Sequence, residues 1–164
     1  DWGDTTSALR MYYSASETSP YPYFIYREIG AIYFNQKDWH SAIYYFQKAF
    51  ENRLTMQNAY AGMLREEVHS WPDEPEIRED IQEEIDRGIS PGRMAAYDST
   101  VFNQILENDR EISMLQNYLG YSHAMMGNLN IAIAHFRNAL NIWPDNQSAR
   151  NNLRMALEKR EYAF

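Results

Sequence analysis

Four histidines, His40, His69, His123 and His135, are the side chains best suited to proton transfer or metal ligation near neutral pH. Their spacing serves neither task, because no two stand four apart and no His-Glu-x2-His run places a pair on one helix face. The sequence has no cysteine, which removes disulfides, thiolate catalysis and thiolate-ligated zinc together. Its seven glycines are dispersed, so none forms a phosphate-cradling loop, and no Gly-x-Ser-x-Gly elbow presents a nucleophile. Ten acidic residues lie between Glu66 and Asp86, with Arg78 as the single Lys or Arg among them, yet no Asp-x-Asp-x-Asp-Gly calcium loop occurs. That segment reads as a solvated helix face opposite a stripe of Ile77, Ile81, Ile85 and Ile89. These patterns predict no enzyme, no bound metal and no cofactor.

Composition narrows the partners. A net charge of -8 disfavours nucleic acid and anionic membrane surfaces, both of which reward clustered Lys and Arg. No apolar run approaches the roughly 20 residues a membrane-spanning helix needs, so no direct membrane insertion is expected. The sequence opens on Asp1, which suggests a fragment or a processed product; a bacterial envelope or periplasmic source is the lean, with a cytoplasmic one left open. At 164 residues and 45% hydrophobic content the chain has room for one domain, 1–164.

What orders the chain is a pattern that occurs twice. Tyr26, Ile29, Gly30, Tyr33, Ala42, Phe46 and Ala49 are matched at the same spacing by Gln116, Leu119, Gly120, His123, Ala132, Phe136 and Ala139, followed by Pro144. A small residue at Gly30 and another at Ala42 would let two helices approach, with Phe46 filling the space between them. The pattern resembles the tetratricopeptide repeat (TPR), a helix-turn-helix unit that stacks on its neighbours because it cannot bury its apolar face alone. The resemblance implies an all-α fold: a right-handed α-solenoid of TPR helix-turn-helix repeats with an inserted helix and a C-terminal capping helix.

The first repeat is expected at 23–56, with Pro20 and Pro22 opening its first helix after a Ser19 cap, residues 35–38 turning, and Asp38 capping the second helix. The other clear repeat is expected at 113–146, with Gly127 and Asn128 at its turn; Asp145 then caps a last helix in 147–164. Gly30 and Gly120 are 90 residues apart, whereas two repeats would account for about 68. Residues 57–112 are therefore read as a divergent repeat carrying an extra helix. It begins at Gln57, with Tyr60, Met63 and Leu64 where the first repeat has Tyr26, Ile29 and Gly30, and its extra helix runs from Ser90 and Pro91 through Met94, Tyr97, Val101 and Ile105. Ahead of everything, residues 4–14 suit a short helix packing Leu9, Tyr12 and Tyr13 on the first repeat.

The resemblance also implies that the first helix of each repeat lines a concave groove. This nominates Phe24, Arg27 and Asn35 from the first repeat, Asn58 and Arg65 from the divergent one, and Asn117 and Tyr121 from the last, with Met114 and Met125 beside them. Arg offers a bidentate fork for a carboxylate and Asn pairs with peptide backbone, so the groove would be apolar with polar hooks. The chaperone-tail clamp of some TPR domains is not matched, since Ala31 stands where an Asn is needed and the last repeat has Asn117 and Tyr121 where bases are needed. The function implied is a non-catalytic scaffold or adaptor that binds a peptide or protein segment in the groove. Two alternatives are a chaperone-like holder of an exported protein and a self-assembling module of a larger protein, which would make homo-oligomers.

Overall fold

The computed structural model describes residues 2–20, 22–69 and 100–162, with side chains described throughout except at 2–3, 61, 64–69 and 100–102. These residues form helices and turns without a strand. In order they are α1 (Trp2–Thr18), α2 (Tyr23–Asn35), α3 (Trp39–His69), α4 (Thr100–Met125), α5 (Leu129–Ile142) and α6 (Gln147–Glu161). No helix among the described residues is long and apolar enough to cross a membrane. The Ile77-to-Ile89 stripe and the helix start at Ser90 and Pro91 fall outside the described residues.

The repeated marks are the points where two helix pairs close. In α2 and α3 a methyl carbon added to Gly30 would sit 2.7 Å from the Phe46 ring, and in α4 and α5 one added to Gly120 would sit 2.6 Å from the Phe136 ring. Only glycine admits a phenyl ring so near the backbone. Ala42, Phe46, Ala49, Ala132, Phe136 and Ala139 are all sealed from solvent. Fully burying each Phe contributes about 1.5–3 kcal/mol, so these two crossings anchor the core. Three residues turn each pair. Lys37 (φ 61°) and Gly127 (φ 83°) take the left-handed conformation that ends a helix sharply. Asp38 then accepts the Ser41 amide at 3.2 Å and its hydroxyl at 2.7 Å, which holds the Asp38 carboxyl below its ordinary range.

Three expectations need correction at the helix ends. Pro22, not Ser19, occupies the position before α2, and it makes no side-chain cap. Asn146, not Asp145, caps α6, accepting the Ala149 amide at 3.0 Å. The largest correction concerns the middle of the chain. No helix starts at Gln57, because α3 runs unbroken for 31 residues from Trp39. Nothing between Ala49 and Gln57 is Pro or Gly, so no residue there stops the helix, whereas Pro144 follows α5 closely. Ile105 likewise belongs to the same 26-residue helix as Gly120, which erases the boundary expected at 112/113.

These long helices bring the two pairs into direct contact. Phe46 stacks on Tyr118, Phe34 meets Tyr118 edge-on, and Leu115 and Leu119 complete one core with Ala42, Phe46 and Ala49. α3 and α4 run antiparallel, since Phe46 meets Tyr118 while Arg53 meets Asn108. α2 and α4 run parallel, since Arg27 meets Glu111 while Phe34 meets Tyr121. Among the described residues no further helix pair separates them. α1 packs on the opposite side of the first pair, where the Tyr13 and Tyr33 hydroxyls hydrogen-bond at 2.7 Å. α6 closes the other end with Ala149 and Ala156 buried and Leu153 and Leu157 on the α5 core.

Candidate functional site

α2, α4 and α6 form a row of neighbouring helices. Arg27 of α2 donates to Glu111 of α4 at 2.9 Å, and Asn152 of α6 donates to Asn117 of α4 at 2.9 Å. Along α4 the residues Met114, Asn117, Tyr121 and Met125 recur at steps of three and four, the spacing of one helical stripe. Phe24 and Arg27 hold the equivalent places on α2, and Met155 stands in line with Tyr121 on α6. Exposed on this row are Phe24, Met114, Tyr121, Met125 (51%) and Met155 (61%). Five large apolar side chains from three adjacent helices thus meet solvent, whereas scattered single exposures are the norm on a protein surface.

The nominated polar hooks fare differently. Arg27 is committed: its guanidinium bonds Glu28 and Glu111, each at 2.9 Å, and lies 4.6 Å over the Phe24 ring. Burial disfavours its charge, but the two carboxylates outweigh that and leave its pKa above the ordinary value. Asn117 bridges to α6 through Asn152. Tyr121 lies 5.2 Å from Phe34 and 6.2 Å from Trp39, ring to ring, which fixes its plane. Asn35 is exposed at the end of α2. Asn58 is exposed, and it and Arg65 both belong to α3, which corrects their placement on a groove helix. With Arg27 and Phe34 of α2 reaching Glu111 and Tyr121 of α4, no helix bearing Asn58 and Arg65 stands between the two. The Arg65 side chain lies outside the described residues.

Two features escaped the sequence reading. One is a buried polar knot where α3 and α4 extend past the start of α2. Arg53 is buried, its guanidinium 3.5 Å over the Tyr23 ring, and it donates to Asn108 Oδ1 at 3.1 Å. Gln57 donates to the buried Asp109 at 2.9 Å. No spacing rule distinguishes such an Arg from a solvated one. The other is a ring stack inside the second pair: His123 and His135 lie 5.4 Å apart and 8° from parallel, with His135 Nδ1 2.7 Å from Gln116 Oε1. The first pair builds the same stack from Tyr33 and Tyr45, 5.7 Å apart and 9° from parallel. The repeated spacing carried this signal, since His135 and Tyr45 occupy matching places.

The described residues contain no group of three or more His, Cys, Asp or Glu able to share a metal ion. A cleft of about 370 Å³ between Pro20, Tyr23, Glu51, Asn52, Thr55, Met56 and Ala59 pairs one carboxylate with apolar and neutral walls. Neither a scan against protein-family models nor a search of curated proteins finds a match for this chain.

Proposed function

We propose that this chain is a non-catalytic protein-interaction module made of two tetratricopeptide-type helix pairs stacked directly on one another, and that the α2–α4–α6 row takes hold of an apolar peptide or protein segment. The observation that carries this reading is the exposure of Phe24, Met114, Tyr121, Met125 and Met155 on one row of helices whose other faces form the core. Burying such side chains against a partner releases apolar surface from water, and aromatic residues and Met are the types enriched where proteins meet. With Arg27 held by Glu28 and Glu111, recognition in this row rests on apolar fit more than on a carboxylate clamp. Three of the five residues are Met, whose flexible thioethers repack against varied shapes. That favours, as a second reading, a holder of extended apolar segments over a reader of one fixed motif.

The test uses the purified chain as bait in a lysate of its source organism. Beside it run a row variant, Met114→Ser/Tyr121→Ser/Met155→Ser, and an off-row variant, Tyr44→Ser/Ile131→Ser, each checked by circular dichroism. Partners lost with the row variant and kept by the off-row variant support the proposal. Equal retention by both sinks it. Suppression of the aggregation of an unfolded client by the wild-type chain, absent in the row variant, would select the holder reading.

A further inference from the structure

α1 repeats the second helices of both pairs in register. Asp4, Ser7, Ala8, Tyr12 and Ala15 are spaced as Asp38, Ser41, Ala42, Phe46 and Ala49 are at the start of α3, and Ala8, Tyr12 and Ala15 as Ala132, Phe136 and Ala139 are in α5. The phase is fixed from the other end as well. Ala15 precedes the first residue of α2 by the same eight positions that separate Ala139 from the first residue of α6, and both junctions carry proline, Pro20 and Pro22 in one and Pro144 in the other.

The environments of these stripes differ. In α3 and α5 the Ala-Phe-Ala stripe is sealed under α2 and α4. In α1 it is open: Ala15 is exposed, Ala8 and Tyr12 are half-buried, and Met11, at the place of Tyr45 and His135, is 73% exposed. Each sealing helix lies immediately N-terminal to the helix it covers, joined by a turn whose middle residue is left-handed, Lys37 or Gly127. Gly3, in the first turn of α1, stands at that place in the register, and glycine adopts the left-handed conformation without strain.

The C-terminal helix of a second copy does not match the missing helix. α6 is in phase with α2 and α4, but Arg154 stands where they have Gly30 and Gly120. At those places even a methyl carbon would lie within 2.7 Å of the partner ring, and the Arg154 side chain is exposed beside Glu158.

We propose that the Ala8–Tyr12–Ala15 stripe of α1 is a docking surface for one amphipathic helix with a glycine facing Tyr12, supplied by polypeptide on the N-terminal side of α1 in a longer protein that contains this chain. This inference rests on the repeat reading of the helix pairs and is independent of what the α2–α4–α6 row binds. α1 is helical through Gly3. Docking turns Gly3 out of the helix and leaves Asp4 to accept from Ser7, as Asp38 accepts from Ser41 in α3.

The probe is residues 111–124 of this chain fused directly ahead of Asp1, which sets the Gly120 of the fused copy 12 positions before Ala8, the interval from Gly30 to Ala42. The in-phase fusion is expected to raise Tm by about 2–4 °C, the scale of one added kcal-sized contact set in a domain this size, and to protect Met11 from peroxide oxidation. A fusion with two extra residues at the junction, and one whose fused copy carries Gly120→Leu, should give neither effect. If all three fusions behave alike, the docking surface is refuted. Gly120→Leu at its own place in the unfused chain separates the two levels. Stability lost there with no gain from the in-phase fusion overturns the docking inference alone, and no loss there overturns the repeat packing with it. Sedimentation of the unfused chain completes the test, because dimers abolished by the in-phase fusion would assign the stripe to a second copy and overturn the proposed source.

Discussion

Phe46 and Tyr118 lie ring over ring, their centroids 5.0 Å apart and their planes 13° from parallel. The contact joins α3 to α4 and thereby the first helix pair to the second, across the long stretch of sequence that separates them. Phe34 meets both rings edge-on, at 6.1 Å and 5.5 Å, so three aromatic side chains from three helices share one contact. Such pairs add about 0.5–1.5 kcal/mol each beyond the area they bury. The consequence for function is positional. It sets α2 beside α4 and so aligns Phe24 with Met114 on the exposed row.

Glycine substitutions should separate packing from propensity. A side chain at Gly120 meets both the Phe136 ring at 2.6 Å and the Ala132 carbonyl oxygen at 3.1 Å, whereas the three nearest contacts at Gly30 are to the Phe46 ring. A ring can tilt and a carbonyl cannot, so Gly120→Ala is expected to cost about 2–3 kcal/mol and Gly30→Ala less. Gly62 has nothing within 4 Å among the described residues, and Gly62→Ala should stabilise by about 0.5–1 kcal/mol through helix propensity. Urea denaturation of the three variants checks the order, and a destabilising Gly62→Ala would contradict it.

Two arginines that each lie over an aromatic ring should differ sharply in their contribution. Arg53 is 7% exposed, and its removal leaves Asn108 without a donor and Tyr23 without its cation. Arg53→Ala is expected to cost about 3 kcal/mol, from the cavity and the orphaned amide oxygen. Arg27 keeps partial access to solvent in both its ion pairs, and Arg27→Ala should cost about 1 kcal/mol or less. Equal losses in urea midpoint would refute the distinction.

The helix-pair crossings were legible in the sequence because they depend on local steric demands: a glycine, a phenylalanine and two alanines at fixed intervals have one packing solution. The helix ends were less legible. Tyr60, Met63 and Leu64 imitate the start of a repeat, but apolar spacing reports which face of a helix is buried and not whether that helix is new, and the run from Phe50 to Gln57 holds no residue that would end one. Of the nominated site, Phe24, Arg27, Asn117 and Tyr121 come together on α2 and α4, while Asn58 and Arg65 were displaced by that one misread boundary. The engagement of Arg27 with Glu111 was invisible for the same reason, since it requires knowing which helices adjoin.

The two side-chain caps offer a graded comparison. Asp38 is exposed and serves one turn, so Asp38→Ala should cost about 1 kcal/mol. Its carboxyl is held below the ordinary range by the Ser41 hydroxyl and amide, so this contribution is present at neutral pH and fades as acid protonates it. Asn146 does more: besides the Ala149 amide it donates to Ser113 Oγ at 2.8 Å, which in turn donates to the Ala139 carbonyl at 2.8 Å. Asn146→Ala is expected to cost about 2–3 kcal/mol, because it uncaps α6 and strips a partner from a buried hydroxyl. Thermal melts at pH 7 read the difference, and an Asp38→Ala variant as damaged as Asn146→Ala would refute it.

The His123–His135 stack predicts sensitivity to acid with a definite sign. Burial lowers the pKa of both imidazoles, and at His135 the neighbouring His123 lowers it further. His123 Nδ1 is buried without a hydrogen-bond partner, so nothing in the described surroundings rewards a proton there. A folded-state pKa below the unfolded value means that the unfolded chain binds more protons, so stability falls as pH drops through about 6.5, the value for unfolded histidine, and goes on falling until the folded rings protonate. The first helix pair shows how to remove the effect, since Tyr33 and Tyr45 make the same stack from rings without a basic nitrogen. The variant His123→Tyr/His135→Tyr should therefore lose less stability than wild type between pH 7.5 and pH 5.5, measured as the shift in urea midpoint. An undiminished loss between pH 7.5 and pH 5.5 in the double variant would place the sensitivity elsewhere in the chain.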